Sequence, residues 1–204
     1  MKKIVTIDFD IIMGPSIEVY NHFIPYEKTW DELILNPQVA LSTGDYVHYQ
    51  RIFGWLLKVA KEIPRENFHF IGEHHSILKF LDEDEQYDIV NIDHHHDCGY
   101  SDDEGVYKTM DIDCTNWVAK AHDRGMVSRY TWLHNADSTL YSPTARRIVD
   151  FKFDLKNYNL DMLPIPDEVY VCFSEVWIPP AIRPLFYTWL DALNIFYDTR
   201  FEVE

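Results

Sequence analysis

The sequence predicts an α/β fold: one domain over residues 1–204, built on a mainly parallel sheet. Three observations point there. Short β-rich apolar runs alternate with stretches of helical period. Polar clusters rich in carboxylate and imidazole follow apolar runs at four places, and open α/β sheets hold their ligands beyond the carboxyl ends of the strands. With 204 residues, 47% of them hydrophobic and 25% charged, the chain is long enough for one sizeable core and ordinary for a globular protein.

The elements follow in order. Lys3 to Phe9 is β-rich and alternates loosely, which predicts a first strand ending at Asp8-Phe9-Asp10, with a break at Gly14-Pro15. Asn36-Pro37 and Thr43-Gly44 mark a loop. Ile52, Trp55, Leu56, Val59 and Ile63 recur at helical spacing, so a helix is predicted over 45–63, stopped by Pro64. Residues 67–71 read as a second strand, 75–81 as a short helix, 82–85 as a solvated acidic turn and 87–92 as a third strand. Residues 98–113 form a long acidic loop, a kind of segment that often carries function. Residues 113–126 read as a helix closed by Gly125, and 130–133 as a strand. Residues 135–166 show no firm pattern. Residues 169–173 are a strand, and Pro179-Pro180 opens a helix running to about Leu193.

Composition narrows the function. A net charge of −16 argues against nucleic acid, whose phosphates need Lys and Arg, and is compatible with a cationic substrate or partner. Aromatic residues make up 15% of the chain, and a peptide groove over residues 16–35 and 135–166 is one use for them. No apolar run approaches a membrane span, and Asp8 interrupts any signal-peptide core, so a cytoplasmic protein without a membrane partner is expected. Cys98, Cys114 and Cys172 are odd in number and widely spaced, which speaks against a disulfide framework or a zinc ribbon. Cys98 reads as a bystander, and Trp117, Trp132, Trp177 and Trp189 as core.

The most informative stretch is Asn91-Ile92-Asp93-His94-His95-His96-Asp97. Unpaired, such groups at the end of a buried strand would cost several kcal/mol each, and a shared cation removes that cost. In an extended segment Asp93, His95 and Asp97 project to one side, a donor set suited to Mn²⁺, Fe²⁺ or Zn²⁺. Asp8 and Asp10 face the same way by the same rule. With one histidine of Glu73-His74-His75-Ser76 they complete a ligand set for two divalent ions bridged by a carboxylate and a hydroxide. Ser174 to Pro180 is the fourth cluster. If the strands before these clusters are parallel neighbours, all four converge on one rim.

Gly72-Glu73-His74-His75-Ser76-Ile77 resembles the Gly-Asp-His-Ser motif of the ureohydrolases, the arginase and agmatinase superfamily, and Asp93 to Asp97 resembles that group's Asp-Ala-His-x-Asp. The paired motifs, Asn116-Trp117 before a helix, and the late Ser-Glu-x-Trp-x-Pro-Pro segment are similar to the peptide arginases, which convert arginine side chains of ribosomally made precursor peptides to ornithine. The resemblance implies an arginase-like three-layer fold, two Mn²⁺ ions and an arginine-containing precursor peptide as partner. It implies metal ligation by Asp93, His95 and Asp97, with Asp97 also counted as catalytic. Alignment on the preceding acid makes His74 the further ligand, and alignment on Ser76 makes it His75. The family's downstream Ser-x-Asp-x-Asp is absent, since Ser174 and Val176 stand where aspartates are needed. Asp8 and Asp10 supply the pair from the N-terminus, in a permuted arrangement. Glu175, with Ser174 beside it, resembles the carboxylate that binds the substrate guanidinium.

The chemistry is coherent without the family. Guanidinium is a poor electrophile, so its hydrolysis needs hydroxide at neutral pH, which metal coordination supplies. A carboxylate such as Glu175 can hold it flat, and His134, ending a strand, is the candidate proton donor to the leaving amine. Two alternatives stand beside this. The DHH-type phosphoesterases also carry an N-terminal Asp-x-Asp and a later Asp-His-His, matched by Asp8, Asp10 and Asp93-His94-His95, although 7 glycines and strong negative charge suit a phosphate site poorly. A non-catalytic metal-binding homologue is the other.

Overall fold

In the computed structural model, which describes residues 1–12, 43–100, 106–136, 138, 140, 142–175, 178, 182–197 and 203, every strand lies in a single parallel sheet. The elements are β1 (Lys2–Asp8), α1 (Thr43–Val59), β2 (Phe68–Ile71), β3 (Tyr87–Ile92), α2 (Val106–Thr109), α3 (Trp117–Asp123), β4 (Val127–His134), α4 (Pro143–Ile148), β5 (Phe151–Asp154), β6 (Glu168–Cys172) and α5 (Arg183–Tyr197). The strand order is β2-β6-β1-β3-β4-β5. The chain leaves β1 for one side of the sheet and returns to pair β3 on the other. The crevice at the carboxyl ends of β1 and β3 is therefore the topological switch point, where such sheets bind ligands.

Strand alternation divides the core into two faces. Val5, Ile7, Phe70 and Val171 point to one, where Leu56 of α1 and Trp189 of α5 cover them. Ile4, Ile89, Trp132 and Tyr170 point to the other, under Trp117 and Val118 of α3 and Ile148 of α4. The result is a three-layer α/β fold. Among the described residues no helix is long and apolar enough to cross a membrane.

The four strands that precede the polar clusters, β2, β6, β1 and β3, are contiguous. Ile7 pairs with Ile92 and Asp8 with Cys172, so their carboxyl ends are level. Phe9 then anchors the turn that carries Asp8 and Asp10. It is fully buried, edge-on to Trp189 at 4.7 Å and to Phe186 at 5.3 Å. Replacing Phe9 by Ala is expected to destabilise the protein by about 3–5 kcal/mol, the range for emptying a buried aromatic site. A denaturant melt checks it, and a loss under 1 kcal/mol would show that Phe9 does not hold this turn.

Several elements differ from expectation for identifiable reasons. The segment His74–Lys79 is a 3₁₀ turn rather than an α-helix over 75–81; it is too short to nucleate one and Glu73 provides no side-chain cap. The helix expected from 113 begins at Trp117, because the Asp113 carboxylate accepts bonds from Thr115 N at 2.8 Å and Thr115 Oγ1 at 2.6 Å and holds a local turn instead. The unpatterned stretch 135–166 contains α4 and β5. Ser142 caps α4 by accepting from Ala145 N at 3.0 Å, with Pro143 next to it, a start signal hidden by the brevity of the helix. Within the long acidic loop lies the short α2. Gly14-Pro15, residues 16–35, Asn36-Pro37, Val176, Trp177 and Pro179-Pro180 lie outside the described residues.

Candidate metal centre

The site is built where β1, β3 and the turn after β2 end together. Asp8 closes β1, and Asp10 follows in the 3₁₀ turn Phe9–Ile12. β3 stops at Ile92, so Asp93, His95 and Asp97 do not alternate along a strand as expected. They converge through a turn in which Asp93 Oδ1 accepts from His95 N at 2.8 Å and Asp97 takes left-handed backbone, φ 52°. Asp93 is pinned from both sides: its N–H donates to Leu133 O at 3.0 Å, and Trp132 Nε1 donates to its carbonyl at 2.9 Å.

His74 sits in the middle of this rim, fully buried. Its Nδ1 lies 3.3 Å from Asp8 Oδ2, 3.1 Å from Asp93 Oδ2 and 2.9 Å from Asp97 Oδ2. Of the two histidines, His74 is the one that lies among the carboxylates: the next residue of a 3₁₀ turn points about 120° away, and His75 turns outward to Glu73 at 3.4 Å. A second group comprises Asp10, Asp93 and His95, with His95 Nδ1 at 3.0 Å from Asp10 Oδ2 and 3.9 Å from Asp93 Oδ1. The two groups share Asp93, one oxygen toward each. The His74 group is closed off, whereas the His95 side chain is 29% exposed.

Each inner carboxylate has its own donor. Ser174 Oγ donates to Asp8 Oδ2 at 2.6 Å, Asn91 Nδ2 to Asp93 Oδ2 at 3.1 Å and Trp117 Nε1 to Asp97 Oδ2 at 2.7 Å. These donors come from the end of β6, from β3 and from α3. Ser174 thus meets an aspartate, in left-handed backbone at φ 46°, where the sequence suggested substrate contact. Trp117 is core, as expected, and a ligand support as well. Thr6, whose Oγ1 lies 2.6 Å from His74 Nε2, and Asn91 were missed, although each stands two residues before an aspartate.

The electrostatics favour a cation. Burial raises the Asp8 carboxyl, and Asp10 beside it adds to this. Burial, then Asp97 and Asp8, pushes Asp93 up to about 6. Burial opposes a charged His74, yet Asp8, Asp93 and Asp97 outweigh it and hold the imidazole well above its ordinary value. Buried Asp10 Oδ1 has no hydrogen-bond partner among the described residues. Carboxylate oxygens with imidazole nitrogens form a donor set for a divalent cation, and both groups bring their atoms within 4.8 Å of one another.

A pH dependence follows for the ion-free protein. Asp8 and Asp93 have folded pKa values above their unfolded ones, so the folded chain binds more protons and its stability falls as pH rises. For Asp93 the window runs from the unfolded value, about 4, to about 6. His74, also raised, loses its contribution above that. Melting in chelator should show a falling midpoint across this range, and a midpoint that climbs with pH would contradict the assignment.

The remaining expected site residues belong to neither of these two groups. Glu175 is exposed and ion-paired with Arg183, which also donates to its carbonyl at 3.2 Å, so its carboxylate closes a loop onto the start of α5. His134 ends β4 with Nδ1 2.6 Å from Asn135 O. Burial, with Asp97 next to it, pushes the Cys98 thiol well up, which favours its protonated form. No family model, curated protein or solved structure matches this chain.

Proposed function

We propose that the protein is a Mn²⁺-dependent hydrolase that converts an arginine side chain of a ribosomally made peptide to ornithine and urea. The observation that carries this reading is the pair of ligand groups joined at Asp93, one of them containing His74. A divalent cation bound there would lower the pKa of water and supply hydroxide near neutral pH. Water would then be added across the C–Nε bond of the guanidinium: oxygen joins carbon, the bond to nitrogen breaks, the two protons of water end on the leaving nitrogen as an ammonium, and urea departs.

The residues divide the work. Asp8, Asp93 and His74 would hold the closed position, with Asp97 2.9 Å from His74 Nδ1, and Asp93, Asp10 and His95 the open one, from which a substrate can approach. His134, on the neighbouring strand, is the proposed donor of the proton to the leaving amine. Glu175 could receive the substrate guanidinium only by exchanging it for that of Arg183. The net charge of −16 favours a cationic substrate.

The phosphoesterase alternative gives no role to His74, and its Asp-His-His would draw on His94, which belongs to neither ligand group. The deciding experiment incubates the Mn²⁺-loaded protein with arginine-containing peptides and, in parallel, with a phosphoester. Urea together with loss of the mass of cyanamide at arginine is the expected result. Phosphate release would favour the phosphoesterase, and ion binding without turnover on either substrate would favour a non-catalytic role.

A further inference from the structure

We propose that the Thr6 hydroxyl is the positioning group that lets His74 act as a cation ligand, by accepting the Nε2 proton of the ligating form. This rests on the reading of Asp8, His74, Asp93 and Asp97 as a cation-holding group. Thr6 lies in the middle of β1, between Asn91 of β3 and Tyr170 of β6 in the sheet register. Thr6 and His74 are both fully buried, and Thr6 Oγ1 lies 2.6 Å from His74 Nε2. The other ring nitrogen faces three carboxylates, 2.9–3.3 Å away.

A neutral imidazole carries one N–H and one lone pair. With the proton on Nδ1, the N–H points into the carboxylates and leaves no lone pair there for a cation. With the proton on Nε2, the N–H donates to Thr6, and the Nδ1 lone pair joins the oxygens of Asp8, Asp93 and Asp97. A hydroxyl both donates and accepts, so Thr6 can accompany either form. Without that oxygen the ligating form would leave a buried N–H unpaired, which is unfavourable. The partner of a ligating imidazole commonly fixes its tautomer in this way. Here it stands two residues from Asp8, so one face of β1 supplies both a ligand and the control of another.

Thr6→Val keeps the β-branched shape that suits a strand and removes only the hydroxyl. Thr6→Ser keeps the hydroxyl. Mn²⁺ titration by calorimetry on the full chain should show the valine variant weakened about 10–100-fold, the usual range for losing such a partner, and the serine variant close to wild type. Long-range ¹⁵N–¹H spectra of the wild-type imidazoles, with Zn²⁺ as a diamagnetic probe, should show His74 protonated on Nε2. The proposal is overturned if the valine variant binds Mn²⁺ like wild type, if serine is as weak as valine, or if Nε2 of the loaded protein carries no proton. A wild-type chain that binds no divalent ion would bring down the metal reading and this proposal together. A wild type that binds, matched by its valine variant, removes only the role of Thr6.

Discussion

Asp93→Asn is expected to strip the protein of the two proposed cations and to abolish the proposed turnover. Asp93 is the residue the two ligand groups share, with Oδ2 toward His74 and Oδ1 toward His95. The amide keeps the volume and can still accept from Asn91, but it removes the negative charge that both positions use. Turnover should fall by a thousandfold or more, roughly the effect of losing several kcal/mol of electrostatic stabilisation at the reacting centre. The same change should leave the ion-free protein as stable as wild type near neutral pH, or more so. The Asp93 carboxyl is raised to about 6 by burial and by Asp97 and Asp8, so its charged form is under repulsion that the amide does not feel. Metal content and thermal melting of the same preparation read both effects. A variant that retained two ions per chain would rule out Asp93 as the bridge.

His74→Ala and His75→Ala should behave as opposites. His74 is fully buried and is the one imidazole among three inner carboxylates. Removing one partner of such a buried cluster typically costs 3–5 kcal/mol, because the charges left behind are uncompensated, so about that loss is expected here along with loss of Mn²⁺ binding. Among the described residues His75 pairs only with the exposed Glu73, and a contact of that kind is worth about 0–1 kcal/mol. Denaturant melts and Mn²⁺ titrations of the two variants side by side test this. If His75→Ala loses the ion and His74→Ala keeps it, the ligand assignment is reversed.

Much of this site was legible because its parts are local. Asp8-x-Asp10 and Asp93-x-His95-x-Asp97 sit at the ends of apolar runs, and strand ends are where a parallel sheet gathers its ligands. The 3₁₀ turn hid the choice between His74 and His75, since adjacent residues differ only in which way the backbone turns them. The pairing of Glu175 with Arg183 was also hidden. It joins a loop to a helix eight residues on, and a carboxylate beside a strand end reads the same whether it holds a substrate or its own chain. The short α4 and β5 gave too few periods to stand out from residues 135–166.

The amino-acid sequence by itself determined the class of the fold and the residue types gathered in a group that could hold a cation. Alternating periods of apolar residues dictate strands and helices segment by segment, and runs of carboxylate and imidazole after strands call for a cation. The tertiary structure alone decided the strand order that inserts β6 between β2 and β1, and with it the meeting of Ser174 with Asp8 across 166 positions. It also decided that Asp93 serves two groups at once and that Thr6 stands behind His74. The physical reason is that periodicity is a property of neighbours along the chain, whereas strand order and ligand convergence depend on how buried faces pack between segments far apart in it.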